Sequence, residues 1–199
     1  FGSGSIGGTI RYITNQPVLG ETSGMVEGNV NVVDGGDVGY HGKGVINLPI
    51  GDKAAFRLVG YWTEYAGFID ALREGGGVTE DVNGGERYGF RAALRLEPTE
   101  NLSITPRFVY QDVDVDGFNR QEVFNLFANP FTTTRPAVTF DERQQFLLLD
   151  EQFRDQTSIG DVTLEWDAGS IVFTSVSSFT NRDILVSRDA SALTGSVTI

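Results

Sequence analysis

The side chains that most often perform catalysis are scarce in this chain of 199 residues. It has no cysteine and a single histidine, His41. A thiolate metal cage, a cysteine nucleophile and a site with two histidine ligands are therefore excluded within the chain. Acidic pairs such as Asp141/Glu142 and Asp150/Glu151 have no spacing that defines a separation between two carboxylates. We predict no catalytic centre, no cofactor and a polar, non-catalytic role for His41.

Two glycine-containing motifs match ligand-binding loops in part. Residues 2–7 have the GxGxxG spacing of dinucleotide sites, but a β-branched segment follows them where such a site needs a helix. Residues 112–117 begin like a calcium loop, with carboxylates at positions one, three and five and glycine at six. Position twelve is Val123 rather than glutamate. These motifs predict tight turns and a charged strand end, and a loose divalent-ion site at residues 112–116 stays open.

Composition narrows the class of partner. Acidic residues outnumber basic residues 27 to 15, which gives a formal net charge of −12. Phosphate binding needs a basic surface, so we predict no nucleic-acid partner.

The chain has 25 glycines and 14 phenylalanines. Glycine is about twice its usual ~7 % share, and glycine with aromatic residues is typical of a β protein with many turns.

Apolar and polar residues alternate along most of the chain. The pattern is clearest over residues 87–97, and a period of two this strict favours a strand over a helix. No window approaches the ~18 consecutive apolar residues of a membrane helix. Strands are predicted at residues 9–15, 22–34, 38–50, 54–68, 87–97, 102–112, 158–167 and 170–182.

The predicted connections differ in length. The turns at Gly51, Pro98 and Ala168 are tight, whereas the connections near residue 75 and after residue 112 are long. The short reversal at Asp34 departs from this alternation. Short turns at one end and long loops at the other are typical of outer-membrane barrels.

The two faces of the predicted strands differ in chemistry. One face is apolar, with aromatic residues near the strand ends: Tyr40, Trp62, Tyr88, Tyr110 and Trp166. The other carries five arginines: Arg57, Arg87, Arg91, Arg95 and Arg107. An unpaired buried charge costs several kcal/mol, so the arginines must face bulk water or a polar lumen. The pattern fits both a half-exposed antiparallel sheet and a barrel wall.

The opening residues, FGSGSIGGTIRYITNQP, resemble the end of the plug domain of TonB-dependent outer-membrane receptors. The positions that match the family pattern are Gly2, Gly4, Gly7, Gly8, Ile10, Thr14 and Pro17. Phe1 stands where the family usually has tyrosine. A series of barrel-like strands follows this motif, which is also the order in the family.

The resemblance implies an all-β fold and a Gram-negative outer-membrane location. Residues 1–20 would be the C-terminal end of the plug domain, including its last strand. Residues 21–199 would be the incomplete N-terminal part of a transmembrane antiparallel β-barrel, with about seven of its ~22 strands. The chain is then expected to be a piece of a longer protein.

The resemblance also implies a role and partners. A receptor of this family takes up a scarce ligand and catalyses no reaction. The ligand would be a ferric siderophore first, with cobalamin or carbohydrate as alternatives. TonB, with ExbB and ExbD, would act through a segment upstream of Phe1, and outer-membrane lipid and lipopolysaccharide would surround the barrel.

The resemblance to TonB-dependent receptors also implies roles for particular residues. The five arginines would face the lumen and the plug. Residues 116–156 would form an external loop, with Phe118, Arg120, Phe124 and Phe127 as ligand contacts. Two other functions stay open: a soluble β-rich binding or adhesion module, and a secreted carbohydrate-active β protein.

Overall fold

A computed structural model describes residue 8, residues 12–123 and residues 138–190 of the chain. These residues are all-β and include no helix, which confirms the predicted fold class at that level. Among them, no helix has the length and apolar character needed to cross a membrane. Gly2, Gly4, Gly7, Phe124 and Phe127 lie outside the described residues.

The described residues form ten strands in two sheets. In chain order they are β1 (Ser23–Val32), β2 (Val38–Pro49), β3 (Ala54–Tyr65), β4 (Asp70–Leu72), β5 (Val78–Thr79), β6 (Gly85–Thr99), β7 (Leu102–Val115), β8 (Gln144–Phe146), β9 (Gln152–Asp167) and β10 (Val172–Ser187). The large sheet has the order β1-β2-β3-β6-β7-β9-β10, and all its neighbours are antiparallel. It is open, with β1 and β10 at its edges.

The seven alternating segments predicted after residue 20 are the seven strands of the large sheet. Their register keeps the two faces distinct: Leu58 pairs with Ala92 on one face, and Val59 pairs with Arg91 on the other. A one-residue slip would exchange the faces, so the alternation fixes the pairing.

The strand predicted at residues 9–15 is wrong for its described part. Residues 12–15 belong to no strand, and Tyr12 and Ile13 are exposed. Their β-branched pattern predicted pairing, but none of the ten strands of the described ranges pairs with them. The segment instead crosses the polar face of the large sheet, where Arg91 Nη2 donates a 2.7 Å hydrogen bond to the Asn15 carbonyl.

The described parts of the two long connections, residues 66–84, 116–123 and 138–151, pack together and against residues 188–190. We call the combination of residues 66–84, 116–123, 138–151 and 188–190 the loop cap. It contains the small sheet, in which β4 pairs antiparallel with β5 and parallel with β8. Its own apolar cluster consists of Ile69, Ala71, Val82 and Leu147, with Phe68 packed against it. The expected alternation of short and long connections is present, and the short 33–37 turn joins the cap through Asp37 N–H to Gly67 O at 2.9 Å.

Candidate functional site

The five predicted arginines all lie on the same face of the large sheet, and all are half-buried. Strand register places Arg57 next to Asn47 and Ala93, and Arg107 next to Ala93 and Asp161. We call this surface the polar face. Such a concentration of cations requires water or counter-charges in front of it, because desolvating an unpaired charge costs several kcal/mol.

Three of the arginines have partners within the sheet. Arg107 forms an ion pair with Asp161 at 2.7 Å, and Arg95 forms one with Glu97 at 2.5 Å. The Arg87 guanidinium lies 5.3 Å from the centre of the Tyr61 ring, which is a cation–π distance. These contacts hold the long side chains against the sheet.

Arg57 and Arg91 have no acidic partner among the described residues. Arg91 donates to a neutral carbonyl, that of Asn15. The Nε atom of Arg57 is buried and has no hydrogen-bond partner. The two guanidinium groups therefore form the least compensated part of the polar face.

Residues 12–20, which we call the strap, run across this part of the polar face. Asn47 anchors them: its side chain accepts from Val18 N–H at 2.9 Å and donates to Val18 O at 2.9 Å. Its amide also donates to Glu21 O at 2.6 Å. Asn47 is fully buried, and so is Pro17 of the predicted plug motif. Gly8 and Thr14, the other described residues of that motif, are exposed, and Gly8 has a φ of 99°.

A groove of about 460 Å³ opens between the strap and the sheet. Ile13, Thr14 and Asn15 form its strap side, and Lys43, Arg57 and Arg91 supply its charge. Lys43 is partly compensated by Glu27 at 3.5 Å, which His41 also approaches at 3.7 Å. His41 in addition contacts the Thr63 hydroxyl at 2.8 Å, as expected for a plain polar residue of this face.

The other face of the large sheet is apolar and exposed. Its central positions include Leu58, Phe90 and Phe108, and outer positions such as Val26 and Phe179 reach 91 % and 75 % exposure. Contiguous exposed apolar surface of this extent marks a site of contact with a membrane or another protein.

Aromatic and charged side chains border the apolar face at the loop-cap end. Trp62, Tyr88 and Asp112 are cross-strand neighbours, and the next row outward pairs Glu64, Glu86, Asp114 and Arg154.

Asp112 is buried and accepts hydrogen bonds from Tyr88 and Tyr110, both at 3.2 Å. Both tyrosines, and Gln156 Nε2 at 2.7 Å, donate to Asp112 Oδ2, whereas the buried Oδ1 has no hydrogen-bond partner among the described residues. Within the described ranges, no group of three or more His, Asp or Glu side chains is arranged to hold a metal ion.

The opposite border lies at the tight turns. Trp166 and Phe173 stack with ring centres 5.5 Å apart on the same apolar face. Between the two borders, β6 rises ~27 Å from Tyr88 to Leu96. For a strand tilted by ~40° from the axis of a barrel, this length spans ~20 Å along that axis. The apolar band of membrane barrels is ~25 Å tall.

Phe118 and Arg120, the two described members of the predicted ligand contacts, lie in the loop cap. The Phe118 ring packs edge-on against Phe153 and under the Arg188 guanidinium at 4.0 Å. Arg120 forms an ion pair with the buried Glu151 at 3.2 Å. Both side chains therefore make contacts within the cap, and their role with a ligand stays a prediction.

The pKa values of three carboxyl groups in the loop cap are raised above their ordinary values. Burial is the main cause that raises the pKa of Glu122, and Arg120 partly opposes it. Burial followed by repulsion from Asp114 raises the pKa of Asp116. Asp81 behaves in the same way, with burial first and repulsion from Asp70 second. In these three groups the charged form is therefore less favourable in the folded cap than in water.

Sequence reasoning missed Asn47 and Asn83, and it named Glu151 in an acidic pair without predicting that this side chain is buried. Asn83 accepts from both Phe68 N–H and Ile69 N–H, at 2.7 and 2.8 Å, and so fixes the start of the loop cap. Asn47 occupies a normal polar position in an alternating strand, and nothing in that pattern distinguishes it from an exposed asparagine. Only the three-dimensional path of the strap reveals its role.

Comparison with protein-family models, with curated proteins and with solved structures gives no match to this chain. The features of the chain that bear on its function are therefore the motif at residues 1–17 and the two contrasting faces of the sheet.

Proposed function

We propose that the chain is a section of a TonB-dependent outer-membrane receptor, composed of the end of the plug domain and about seven strands of its ~22-stranded barrel wall. The receptor takes up a scarce ligand in an energy-coupled step. A ferric siderophore is the first choice of ligand, with cobalamin and carbohydrate as alternatives. TonB, ExbB and ExbD supply the energy through residues that precede this segment.

The observation that carries the proposal is the exposed apolar face with aromatic rows at both of its borders. Trp62 and Tyr88 lie at one border and Trp166 at the other. Tyrosine and tryptophan are enriched at the two membrane–water interfaces of barrels. A sheet of a water-soluble protein would need another layer over Phe90 and Phe108, which are 40 % and 43 % exposed.

The polar face supports the same function. In this proposal it faces the barrel lumen, where a plug occupies the space in front of the arginines. The strap fits a plug-to-barrel connection because Asn47 fixes it to the lumen side of β2 just before β1 begins. The loop cap then lies on the external side, at the end where barrels carry their long loops.

The size and location of the native polypeptide test this proposal. An antibody against residues 116–156 is used to probe fractionated source cells. We expect a band several-fold larger than 21.7 kDa in the outer membrane, with a mobility that shifts on heating. A band near 21.7 kDa in a soluble fraction would contradict the receptor and favour a self-contained β-rich binding module.

A further inference from the structure

Two guanidinium groups of the basic groove beneath the strap form no ion pair within this chain. Arg57 and Arg91 have no carboxylate partner among the described residues. The residues outside the described ranges contain no Asp or Glu at all. No acidic side chain of these 199 residues therefore forms an ion pair with either guanidinium group, although the chain as a whole carries a net charge of −12.

The groove also has the form of a binding site. Its volume of about 460 Å³ lies in the usual range of small-molecule sites, ~300–1,000 Å³. The buried Arg57 Nε is a donor without an acceptor, and Lys43 and Arg91 add further donors on the same surface. Planar guanidinium groups match the oxygen spacing of carboxylates and phosphates.

We propose that this groove binds an oxyanion, a carboxylate or phosphate group, supplied from outside the 199 residues. Arg57 and Arg91 bind its oxygens, and Lys43 contributes a point charge. The strap forms one wall, so the Asn47 anchor keeps the groove at a constant width. The oxyanion belongs either to a free small molecule or to a side chain of a preceding part of the polypeptide. A free small molecule as the source does not depend on the proposed function, whereas a preceding segment as the source rests on it.

The test is calorimetric titration of the full 199-residue chain, in nonionic detergent, with inorganic phosphate and separately with citrate. We expect saturable binding that Arg57→Ala and Arg91→Ala each weaken by roughly tenfold, the loss typical of one charge-assisted hydrogen bond. Arg154→Ala is the matched control. It removes the same charge from the opposite, apolar face, where Arg154 lies near Asp112 and Asp114.

A second arm separates the two sources of the oxyanion. The same titration uses a protein extended at its N-terminus by the sequence that precedes Phe1. Unchanged phosphate binding identifies a free small molecule as the ligand. If the extended protein binds no phosphate and is destabilised by Arg57→Ala, a preceding segment supplies the oxyanion.

Two results would overturn the proposal. One is that the 199-residue chain binds neither phosphate nor citrate although its far-ultraviolet circular dichroism spectrum shows that it is folded. The other is binding that Arg57→Ala and Arg91→Ala leave as strong as in the Arg154→Ala control. Cell fractionation decides the receptor assignment separately, so failure of either idea is recognised without the other.

Discussion

The side-chain amide of Asn47 pairs with both backbone groups of Val18, at 2.9 Å in each direction. This is the hydrogen-bonding geometry of one β-bridge, made by a side chain where the strap has no strand beside it. Asn47 is fully buried, whereas Val18 and Glu21 are exposed residues of the segment that it holds. The path of the chain before β1 thus depends on one residue of β2.

Replacing Asn47 with alanine is expected to release the strap and leave the sheet intact. The change leaves Val18 N–H, Val18 O and Glu21 O without their side-chain partner, and each such hydrogen bond contributes ~0.5–1.5 kcal/mol. Hydrogen exchange at Val18 should accelerate, while exchange in β6 and β7 stays slow. Asn31→Ala, at an exposed position of β1, is the control. Equal protection of Val18 in both variants would contradict the anchoring role.

The chain has two tryptophans, and both border the apolar face. In detergent micelles, the fluorescence of both Trp62 and Trp166 should be quenched strongly by a brominated detergent. The variants Trp62→Phe and Trp166→Phe isolate each signal. Acrylamide, which quenches from water, provides the comparison. A tryptophan quenched only by acrylamide would show that its border of the apolar face does not contact the detergent tails.

The large sheet could be predicted because its information is local. In β6, the alternation of Tyr88, Phe90 and Ala92 with Arg87 and Arg91 specifies both the strand and its two faces. Strand ends were less predictable: β9 begins at Gln152, six positions before the predicted start, because β7 and β10 offer partners along its full length.

The loop cap and the strap could not be predicted, because long-range contacts determine both. β8 is a three-residue strand that pairs with β4 across more than seventy residues of chain. Such short segments have too few positions to show a period. The arginine face was visible in the sequence. That Arg57 forms no ion pair with a carboxylate of the described residues became evident only from the structure.

Gly67 occupies a crowded crossing in the loop cap, where its Cα faces the backbone and Cβ of Asp81. A methyl group at this position overlaps with Asp81 O, so Gly67→Ala should destabilise the cap by ~1–3 kcal/mol through overpacking. Exchange at the Asp37 amide, which donates to Gly67 O, should accelerate. Gly84→Ala is the control within the same connection, because its methyl group meets its neighbours at ordinary distances of 3.5–3.6 Å. Similar Asp37 exchange in the two variants would argue against this close packing.

Glu122 should make the loop cap less stable as the pH rises. Burial raises its pKa in the folded cap above the ordinary glutamate value of ~4.3. Between those two values the folded state binds more protons than the opened state, so the free energy of opening falls with increasing pH. The stabilisation is complete below the ordinary value and is lost as the pH passes through the raised one.

The protection factor of the Phe146 amide, which donates to Glu122 at 3.2 Å, measures this effect. It should fall across the same pH window in the native protein. Glu122→Gln keeps an acceptor oxygen but cannot ionise, so the fall should become smaller and protection at neutral pH should be at least as high. Glu100→Gln, in the tight turn at the opposite end of the sheet, should leave the profile unchanged. If the Glu122→Gln profile runs parallel to that of the native protein, another carboxyl group, such as Asp81 or Asp116, controls the opening of the cap.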